Sequence, residues 1–418
     1  MNRVPHRSLV LTGMAVGLII RVLTVGSAST PDMSQYINWG NAVLDNGLVH
    51  AFQGIYFPVQ YQIFGICAWM AREVLMADPE VTIKIANLLF DVGLFTLLWV
   101  SVPSFGRPAH AALWYWLHPW FLTIFAFGYV DAQFAFFVLL TLWMLQRRSD
   151  VRGTVIAGIP FAAACLMKPQ TLILVGAVAL VGLLGWNKGL HKRAGALLAP
   201  AGALFLAYTL YFGFSLVQEQ GIRAFFVLPF SYMSVGYVMP ALTAHMPNLW
   251  YPVAYALLPP GETDILKALA AKVDAIPFGI VGGLATVALL VFYVSRLLRT
   301  LGDTPDWHKV WWNVFLVPSL IMPFVMIAAH ENHFFLASVL LLPFVSAASS
   351  RKVLASLHGL YALLWVNMFL LYSSNPVGKA LGNAYSLNVR LVVAVAASAC
   401  FITLLVFLFH HTVGRNSA

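Results

Sequence analysis

Asp32 lies in the stretch "TPDMSQYINWGN" (residues 30–41), and two aromatic residues follow it at helical spacing. Asp32, Tyr36 and Trp39 occupy positions i, i+4 and i+7, so a helix places all three on one face. A carboxylate can serve as a general base, and aromatic walls are typical of small-molecule sites. The same pattern also fits a first-turn acid at the helix dipole, followed by an interfacial aromatic pair. Its meaning depends on which other residues the fold brings to this face.

The composition of the chain is that of a membrane protein. Of 418 residues, 61% are hydrophobic and 9% are charged, and the mean hydropathy is +0.82. Charged residues normally make up about a quarter of a globular chain. Repeated apolar runs predict an all-α, polytopic membrane protein. The net charge of +9 then reflects cytoplasmic loops, and no nucleic-acid partner is expected.

The basic residues decide between two topologies, because segment 57–71 can be a span or an interfacial helix on the outer surface. If it does not cross, most of the 24 Lys and Arg residues lie on the cytoplasmic side, as the positive-inside rule requires. Counting it as a span would move the basic segments 147–152 and 188–193 outside. We therefore predict about 12 transmembrane helices. The predicted spans lie near residues 8–27, 83–101, 110–127, 131–146, 153–168, 170–187, 194–217, 278–297, 310–329, 334–349, 354–372 and 388–409.

The predicted organisation is a single transmembrane domain over 1–418 with two large outer segments. The first, 28–82, is expected to hold interfacial helices, because residues 33–44 carry an apolar stripe that can lie flat on a membrane. The second, 218–277, is rich in Tyr, Pro and Met.

This topology gathers polar residues at one outer face. Asp131 and Lys168 lie in turns between predicted spans, and His330 opens another such turn. A charged residue in a membrane costs about 2.5–3.5 kcal/mol on insertion scales and commonly marks a site. Each also has a structural explanation, since Lys168 can snorkel to the headgroups. The other members of the set are Arg21, Glu331, His333, Asn248 and Trp250.

Other chemistries find little support in the sequence. It contains no P-loop, no HExxH and no GxSxG. His330, Glu331 and His333 could supply two or three metal ligands, but no further ligand is evident, so no metal and no other cofactor is predicted. The three cysteines are far apart in apolar surroundings and form neither a metal motif nor a disulfide framework.

Seven stretches, in chain order, resemble the GT-C superfamily of integral-membrane glycosyltransferases, which transfer a sugar from a polyprenyl-phosphate carrier. The likeness covers residues 20 to 345 and is greatest to the dolichyl-phosphate-glucose and dolichyl-phosphate-mannose dependent enzymes and their bacterial relatives. It implies a GT-C-type fold. The stretches are PDMSQYINW, YFPVQYQIFG, VTIKIANLLFDVGLF, LHPWFLTIFAFGYVDAQFAF, LMKPQTLIL, NLW and HENHFFLASVLLLPF.

The resemblance also implies residue roles. Asp32 aligns with the catalytic base, Asp131 matches a second acid, and His330 with Glu331 matches the donor-phosphate turn. The chain departs from the pattern at Asn332, where the family has Arg or Lys. The phosphate contact is therefore expected from Lys168, Arg21 or His333. The expected substrate-binding residues are Tyr36, Trp39, Asp131, Asn248 and Trp250.

The expected activity is transfer of one hexose, mannose or glucose, from a polyprenyl-phosphate sugar donor to a hydroxyl of a glycolipid or surface glycan acceptor. We expect an inverting, metal-independent reaction on the extracytoplasmic face of a bacterial inner (plasma) membrane, with membrane lipids as further partners. A transporter or flippase of a lipid-linked sugar would instead place polar residues through the bilayer midplane. A surface polysaccharide polymerase or ligase would carry several Arg and His residues in segment 218–277, which holds few.

Overall fold

The computed structural model of this chain describes residues 7–52, 56–101, 108–148, 150–220, 243, 246–258, 276–301, 307–327, 329–347, 350–372 and 385–411. Nearly all of them are helical. Most of the predicted second outer segment, 218–277, lies outside the described residues.

Sixteen α-helices occur in the described parts of the chain. In the first half they are α1 (Arg7–Thr24), α2 (Asp32–Ala51), α3 (Pro58–Trp69), α4 (Pro79–Ser101), α5 (Pro108–Leu117), α6 (Pro119–Ala126), α7 (Asp131–Arg147), α8 (Val151–Cys165), α9 (Leu172–Leu184) and α10 (Leu190–Gln220). In the second half they are α11 (Tyr251–Ala256), α12 (Ile276–Thr300), α13 (Trp307–Val325), α14 (Phe335–Ala347), α15 (Arg351–Tyr372) and α16 (Leu387–His411).

The apolar helices make this chain an integral membrane protein. Within the described residues, five helices are long and apolar enough to cross a bilayer: α4, α15, and most of α10, α12 and α16. The same residues hold four shorter apolar helices, at 8–24, 151–165, 169–184 and 332–344. Each of the predicted spans coincides with a helix, except that 110–127 is divided into α5 and α6. The predicted number of spans is not confirmed, because several of these helices are shorter than a bilayer requires.

Segment 57–71, predicted to lie on the surface, forms α3 and is not among the helices that satisfy the length and hydropathy needed for a span. A π-helical turn, Met70–Leu75, follows it. The position of α3 on the outer surface stays a prediction.

The chain divides into two compact units. The first comprises residues 1–101 and 124–236, and the second comprises 102–123 and 237–418. Each unit is described by itself below. In the second unit, α13 packs against α12, α14 and α16. Every residue of α13 from Val310 to Val325 is buried, as expected for a helix that is apolar on all sides.

In the first unit, α2 and α3 approach each other at two glycines. A Cβ added at Gly40 would lie 2.6 Å from the carbonyl oxygen of Phe64, and one added at Gly65 would lie 2.6 Å from Val43 Cγ1. The backbones can come this close only because both positions lack a side chain. The apolar stripe of α2 therefore contacts α3 at Gly40, and its Met33 side chain is 3% exposed.

Candidate functional site

An ion pair between Lys168 and Asp131 is the centre of the candidate site. Asp131 opens α7, and Lys168 lies in the turn between α8 and a 3-10 turn at Pro169–Thr171. Lys168 Nζ is 2.7 Å from Asp131 Oδ1, and the two side chains are 2% and 0% exposed. At this burial each charge depends on the other for compensation, because neither is solvated by water.

The Lys168 turn is fixed by the segment that precedes α3. The backbone N–H of Phe57 donates to the carbonyl of Met167 at 3.0 Å, and that of Val59 donates to Leu166, also at 3.0 Å. These bonds bring Tyr56 next to the lysine, whose Nζ lies 5.4 Å from the centre of the Tyr56 ring. An ammonium at this distance from an aromatic face is attracted to it.

Two tyrosines connect the ion pair to Asp32. The hydroxyls of Tyr56 and Tyr36 lie 3.2 Å apart at hydrogen-bond distance. Burial raises the pKa of Tyr36 well above its usual value, and the nearby Tyr56, Asp32 and Asp131 raise it further. Both carboxylates therefore lie close enough to the Tyr36 hydroxyl to disfavour its ionisation. Asp32, the first residue of α2, is half-buried.

Tyr36 and Trp39, predicted to bind substrate, lie in the packed interface between α2 and α3. Tyr36 stacks on Phe64 at 4.9 Å between ring centres, and Trp39 lies 5.3 Å from Tyr61. The two residues are only 2% and 5% exposed. Tyr56 is half-buried and is the more accessible ring beside Lys168. Sequence reasoning missed Tyr56 as a site residue, although it opens the quoted stretch YFPVQYQIFG.

Arg21, predicted to bind the donor phosphate, forms a second buried ion pair. Its Nε donates to Asp91 Oδ2 at 2.7 Å, and the side chains are 0% and 3% exposed. The guanidinium also lies 5.8 Å from the centre of the Phe125 ring. This pair joins α1 to α4.

Asn248 and Trp250, in the second unit, bind the end of α13. Asn248 Nδ2 donates to the carbonyl of Pro323 at 3.2 Å, and Trp250 Nε1 donates to that of Val325 at 2.5 Å. The backbone N–H of Trp250 donates to Asn248 Oδ1 at 3.1 Å. These hydrogen bonds of Asn248 and Trp250, both predicted to bind substrate, hold the segment before α11 in place.

His330 and His333, predicted to bind the donor phosphate, form a reciprocal cap on the 3-10 turn Glu331–Phe334. The backbone N–H of His330 donates to His333 Nδ1 at 3.2 Å, and the rings lie 5.3 Å apart. The side chain of Glu331 lies outside the described residues. Over the part of the chain that is described, no three His, Cys, Asp or Glu residues are grouped as metal ligands.

A small, partly open apolar cleft lies in the first unit. Its wall includes Phe57, which follows Tyr56 in the chain, and Leu166, two residues before Lys168. The hydroxyl of Tyr208 at its wall donates to Gln62 at 2.6 Å. The residues that line the cleft are Phe52, Phe57, Pro58, Leu166, Phe205, Tyr208, Thr209 and Phe212.

No known protein family and no curated protein sequence matches this chain. Among solved structures, ArnT from Cupriavidus metallidurans, bound to undecaprenyl phosphate, is similar to it with a TM-score of 0.42 and 15% sequence identity. The alignment covers 98% of this chain and 78% of that protein. A similarity of this size establishes neither a shared fold nor a shared activity.

Proposed function

We propose that this protein is a GT-C-type glycosyltransferase that moves one sugar from a polyprenyl-phosphate donor to a hydroxyl of a glycan or glycolipid. One observation carries the proposal. A buried lysine, two carboxylates and two hydrogen-bonded tyrosines lie together in an apolar helical protein, next to an apolar cleft. The ordered sequence resemblance to the GT-C superfamily supports the same assignment.

Asp32 is the general base in this proposal. The carboxylate takes the proton of the acceptor hydroxyl while that oxygen bonds to the anomeric carbon. The bond from the anomeric carbon to the phosphate oxygen breaks, and its electron pair leaves with the polyprenyl phosphate. A single displacement of this kind inverts the anomeric centre. A positioned base contributes about 10²–10⁴ in rate.

Lys168 stabilises the phosphate in this proposal. An ammonium has three N–H donors, and Asp131 accepts one of them at 2.7 Å. A cation in a low-dielectric site strongly favours a developing negative charge. We prefer Lys168 to Arg21 in this role, because Lys168 lies beside Tyr56, whose hydroxyl is at hydrogen-bond distance from that of Tyr36 on the helix that Asp32 opens. Through the resemblance, His330, Glu331 and His333 remain proposed as further donor-phosphate residues.

The apolar cleft would hold the first isoprene units of the donor. Its aromatic and aliphatic walls suit a hydrocarbon chain, and its edge at Phe57 and Leu166 adjoins the residues that surround Lys168. A lipid phosphate that enters there would bring its head to Lys168 and its tail to the cleft. Burial of each methylene group contributes about 0.8 kcal/mol to such binding.

The finer assignments come from the sequence. We propose mannose or glucose as the sugar, a metal-independent reaction, and an extracytoplasmic site in a bacterial inner membrane. The basic residues support the orientation, because they concentrate in the loops that would then be cytoplasmic.

The test is a transfer assay with purified protein in nanodiscs. Synthetic polyprenyl-phosphate mannose and glucose are supplied with a glycolipid extract, and the products are analysed by mass spectrometry and by the anomeric coupling in NMR. We expect a glycolipid one hexose heavier, with inverted configuration. Transbilayer movement of the donor without any new glycosidic bond would favour a flippase and contradict the proposal. Elongation of a polysaccharide by whole repeat units would favour a polymerase or ligase.

A further inference from the structure

Four polar residues lie on one face of the apolar helix α4. Glu80, Lys84, Asn87 and Asp91 follow the spacing i, i+4, i+7 and i+11, which places them in line along the helix. Lys84, Asn87 and Asp91 are 0%, 1% and 2% exposed. Buried polar groups in a helix of this kind are costly unless each finds a partner.

The N-terminal part of this face, at Glu80 and Lys84, binds the loop between α1 and α2 that leads to Asp32. Lys84 Nζ donates to the carbonyl oxygen of Ser27 and lies 3.4 Å from Glu80 Oε1. The hydroxyl of Ser29 donates to the same Glu80 oxygen at 2.7 Å. The ammonium of Lys84 is fully buried and bonded within the protein, so it is not placed to bind a substrate. Lys84 fixes the chain at Ser27, five residues before the proposed base, and Glu80 fixes it at Ser29, three residues before.

Asn87, in the middle of this face, binds the loop between α6 and α7 that leads to Asp131. Asn87 Nδ2 donates to the carbonyl oxygens of Gly128 and Tyr129, at 3.4 and 3.2 Å. Asn87 Oδ1 accepts from Gln133 Nε2 at 2.7 Å. Gln60 Nε2, from α3, donates in turn to Gln133 Oε1 at 2.9 Å. The amides therefore hold the residues on both sides of Asp131.

The two connections also touch each other. The backbone N–H of Thr30 donates to the carbonyl of Phe127 at 3.1 Å, and the hydroxyl of Ser27 donates to that of Ala126, also at 3.1 Å. One helix face thus contacts both segments that deliver carboxylates to the site. The position of Asp32 relative to Asp131 follows from this shared attachment.

We propose that the polar face of α4 is a positioning device, in which Lys84 sets the place of Asp32 and Asn87 sets the place of the Asp131–Lys168 pair. The consequence for catalysis rests on the proposed function. Since Asp32 acts in the chemical step and Lys168 holds the donor, the two residues should control different kinetic parameters. A displacement of about 1 Å in a catalytic group can cost about 10² in rate.

The variants are Lys84→Met and Asn87→Leu. Lys84→Met should lower kcat about 10- to 100-fold while the Kd for polyprenyl phosphate stays within about threefold. Asn87→Leu should raise that Kd about tenfold, a change of about 1.4 kcal/mol in binding, as the lysine moves. The control is Asn367→Leu in the second unit, which also removes a buried asparagine bonded to a side chain, Tyr385. It can lose stability but should change neither parameter.

Hydrogen–deuterium exchange tests the positioning without any substrate. Lys84→Met should increase exchange in the peptide covering 27–34, and Asn87→Leu in the peptide covering 127–133, each with less effect on the other peptide. If Lys84→Met does not fold, Ser29→Ala removes only the bond to Glu80 and should loosen 27–34 alone. Unchanged exchange in both peptides overturns the proposal, and so do loosened peptides with wild-type kcat and Kd. A wild-type protein that transfers no sugar contradicts the proposed function instead, and the exchange data then decide the positioning by themselves.

Discussion

Lys168 Nζ and Asp131 Oδ1 meet at 2.7 Å, and neither side chain is more than 2% exposed. They reach this point from two connections, Asp131 at the start of α7 and Lys168 from the turn after α8. A charge buried to this degree is tolerated when its partner is present and is strongly destabilising when the partner is removed. Asp131 is therefore expected to keep Lys168 in place, and the half-buried Asp32 is the more accessible of the two carboxylates.

Lys168→Met and Asp131→Leu should each lower the free energy of unfolding by about 3–5 kcal/mol, because each leaves one buried charge without its partner. The double variant should regain most of that loss, since an apolar pair of similar size is often no less stable than a buried ion pair. Reversible unfolding in detergent measures the three values. Transfer activity should be lost in all three variants.

The exposed pair between Arg72 and Asp45, at 2.7 Å with 46% and 51% exposure, is the control for this cycle. Its replacement by Arg72→Met should change stability little, because water and salt screen an exposed pair. A double variant whose loss equals the sum of the two single losses would show that Lys168 and Asp131 do not depend on each other.

Gly128→Ala should destabilise the turn that precedes Asp131. Gly128 has a φ of +78°, and an added Cβ would overlap Met33 Cε and lie 2.9 Å from Ser29 Oγ. The left-handed backbone alone costs about 1–3 kcal/mol for a residue with a side chain. Gly189→Ala separates the two effects, because Gly189 has a φ of +71° and nothing within 4 Å of an added Cβ. Thermal unfolding should show a larger loss of stability for Gly128→Ala than for Gly189→Ala. Equal losses would mean that the added Cβ at Gly128 is not crowded by Met33 and Ser29.

Tyr36→Phe should change the alkaline stability of the protein. Burial raises the pKa of Tyr36 well above its usual 10.0, whereas the unfolded chain releases this proton near that value. The contribution of the neutral phenol is thus complete below about pH 10 and is lost as the pH rises toward the folded pKa. The variant lacks this group, so its stability should fall less steeply above about pH 10, by up to about 1.4 kcal/mol per pH unit.

Unfolding of the wild type and of Tyr36→Phe between about pH 8 and about pH 11 measures the difference in slope. The control is Tyr211→Phe, at a position 52% exposed. Identical slopes for the wild type and Tyr36→Phe would mean that the phenol ionises in the folded protein as it does in the unfolded chain.

Much of the helical order could be predicted from the sequence, because apolar runs are local signals. The predicted span 388–409, for example, becomes α16, Leu387–His411. The break between α5 and α6 was missed, although Pro119 stands there, and a proline lacks the N–H that a continuing helix would use. His118 Nδ1 accepts the N–H of Trp120 at that break. The number of spans depends on the length of each helix. The helix α9 has 13 residues, whereas about 20 are needed to cross a bilayer.

The site was only partly accessible to sequence reasoning. The topology placed Asp131 and Lys168 at one face, and the structure brings them into contact. The spacing of Glu80, Lys84, Asn87 and Asp91 on one face of α4 was visible, but its role was not, because the partners of these residues come from connections far away in the sequence. Periodicity shows which residues share a helix face, but it does not show which residues of other segments contact that face.

Thr209→Trp should fill the apolar cleft and weaken binding of a long-chain donor. A lost contact with a few methylene groups, at about 0.8 kcal/mol each, corresponds to a rise in KM of about tenfold or more. A donor that carries only two isoprene units should be affected much less. The control is Leu206→Trp on the same helix, at a position 54% exposed and outside the cleft lining. Equal effects on both donors would place the lipid chain elsewhere.

Asp32→Asn should abolish most of the activity without loss of structure. The residue that precedes α2 is Pro31, and no side chain caps this helix end. The substitution keeps the size of the side chain and removes the interaction of its charge with the helix dipole, about 0.3–1 kcal/mol. If Asp32 is the base, turnover should fall by roughly 10²–10⁴ while affinity for polyprenyl phosphate is retained.

Asp131→Asn should behave differently, with lower stability and weaker donor binding together, because Lys168 loses its charged partner. Transfer rates, donor affinity and unfolding of both variants in nanodiscs distinguish these outcomes. Near-normal turnover in Asp32→Asn, beside a folded and inactive Asp131→Asn, would assign the base to Asp131.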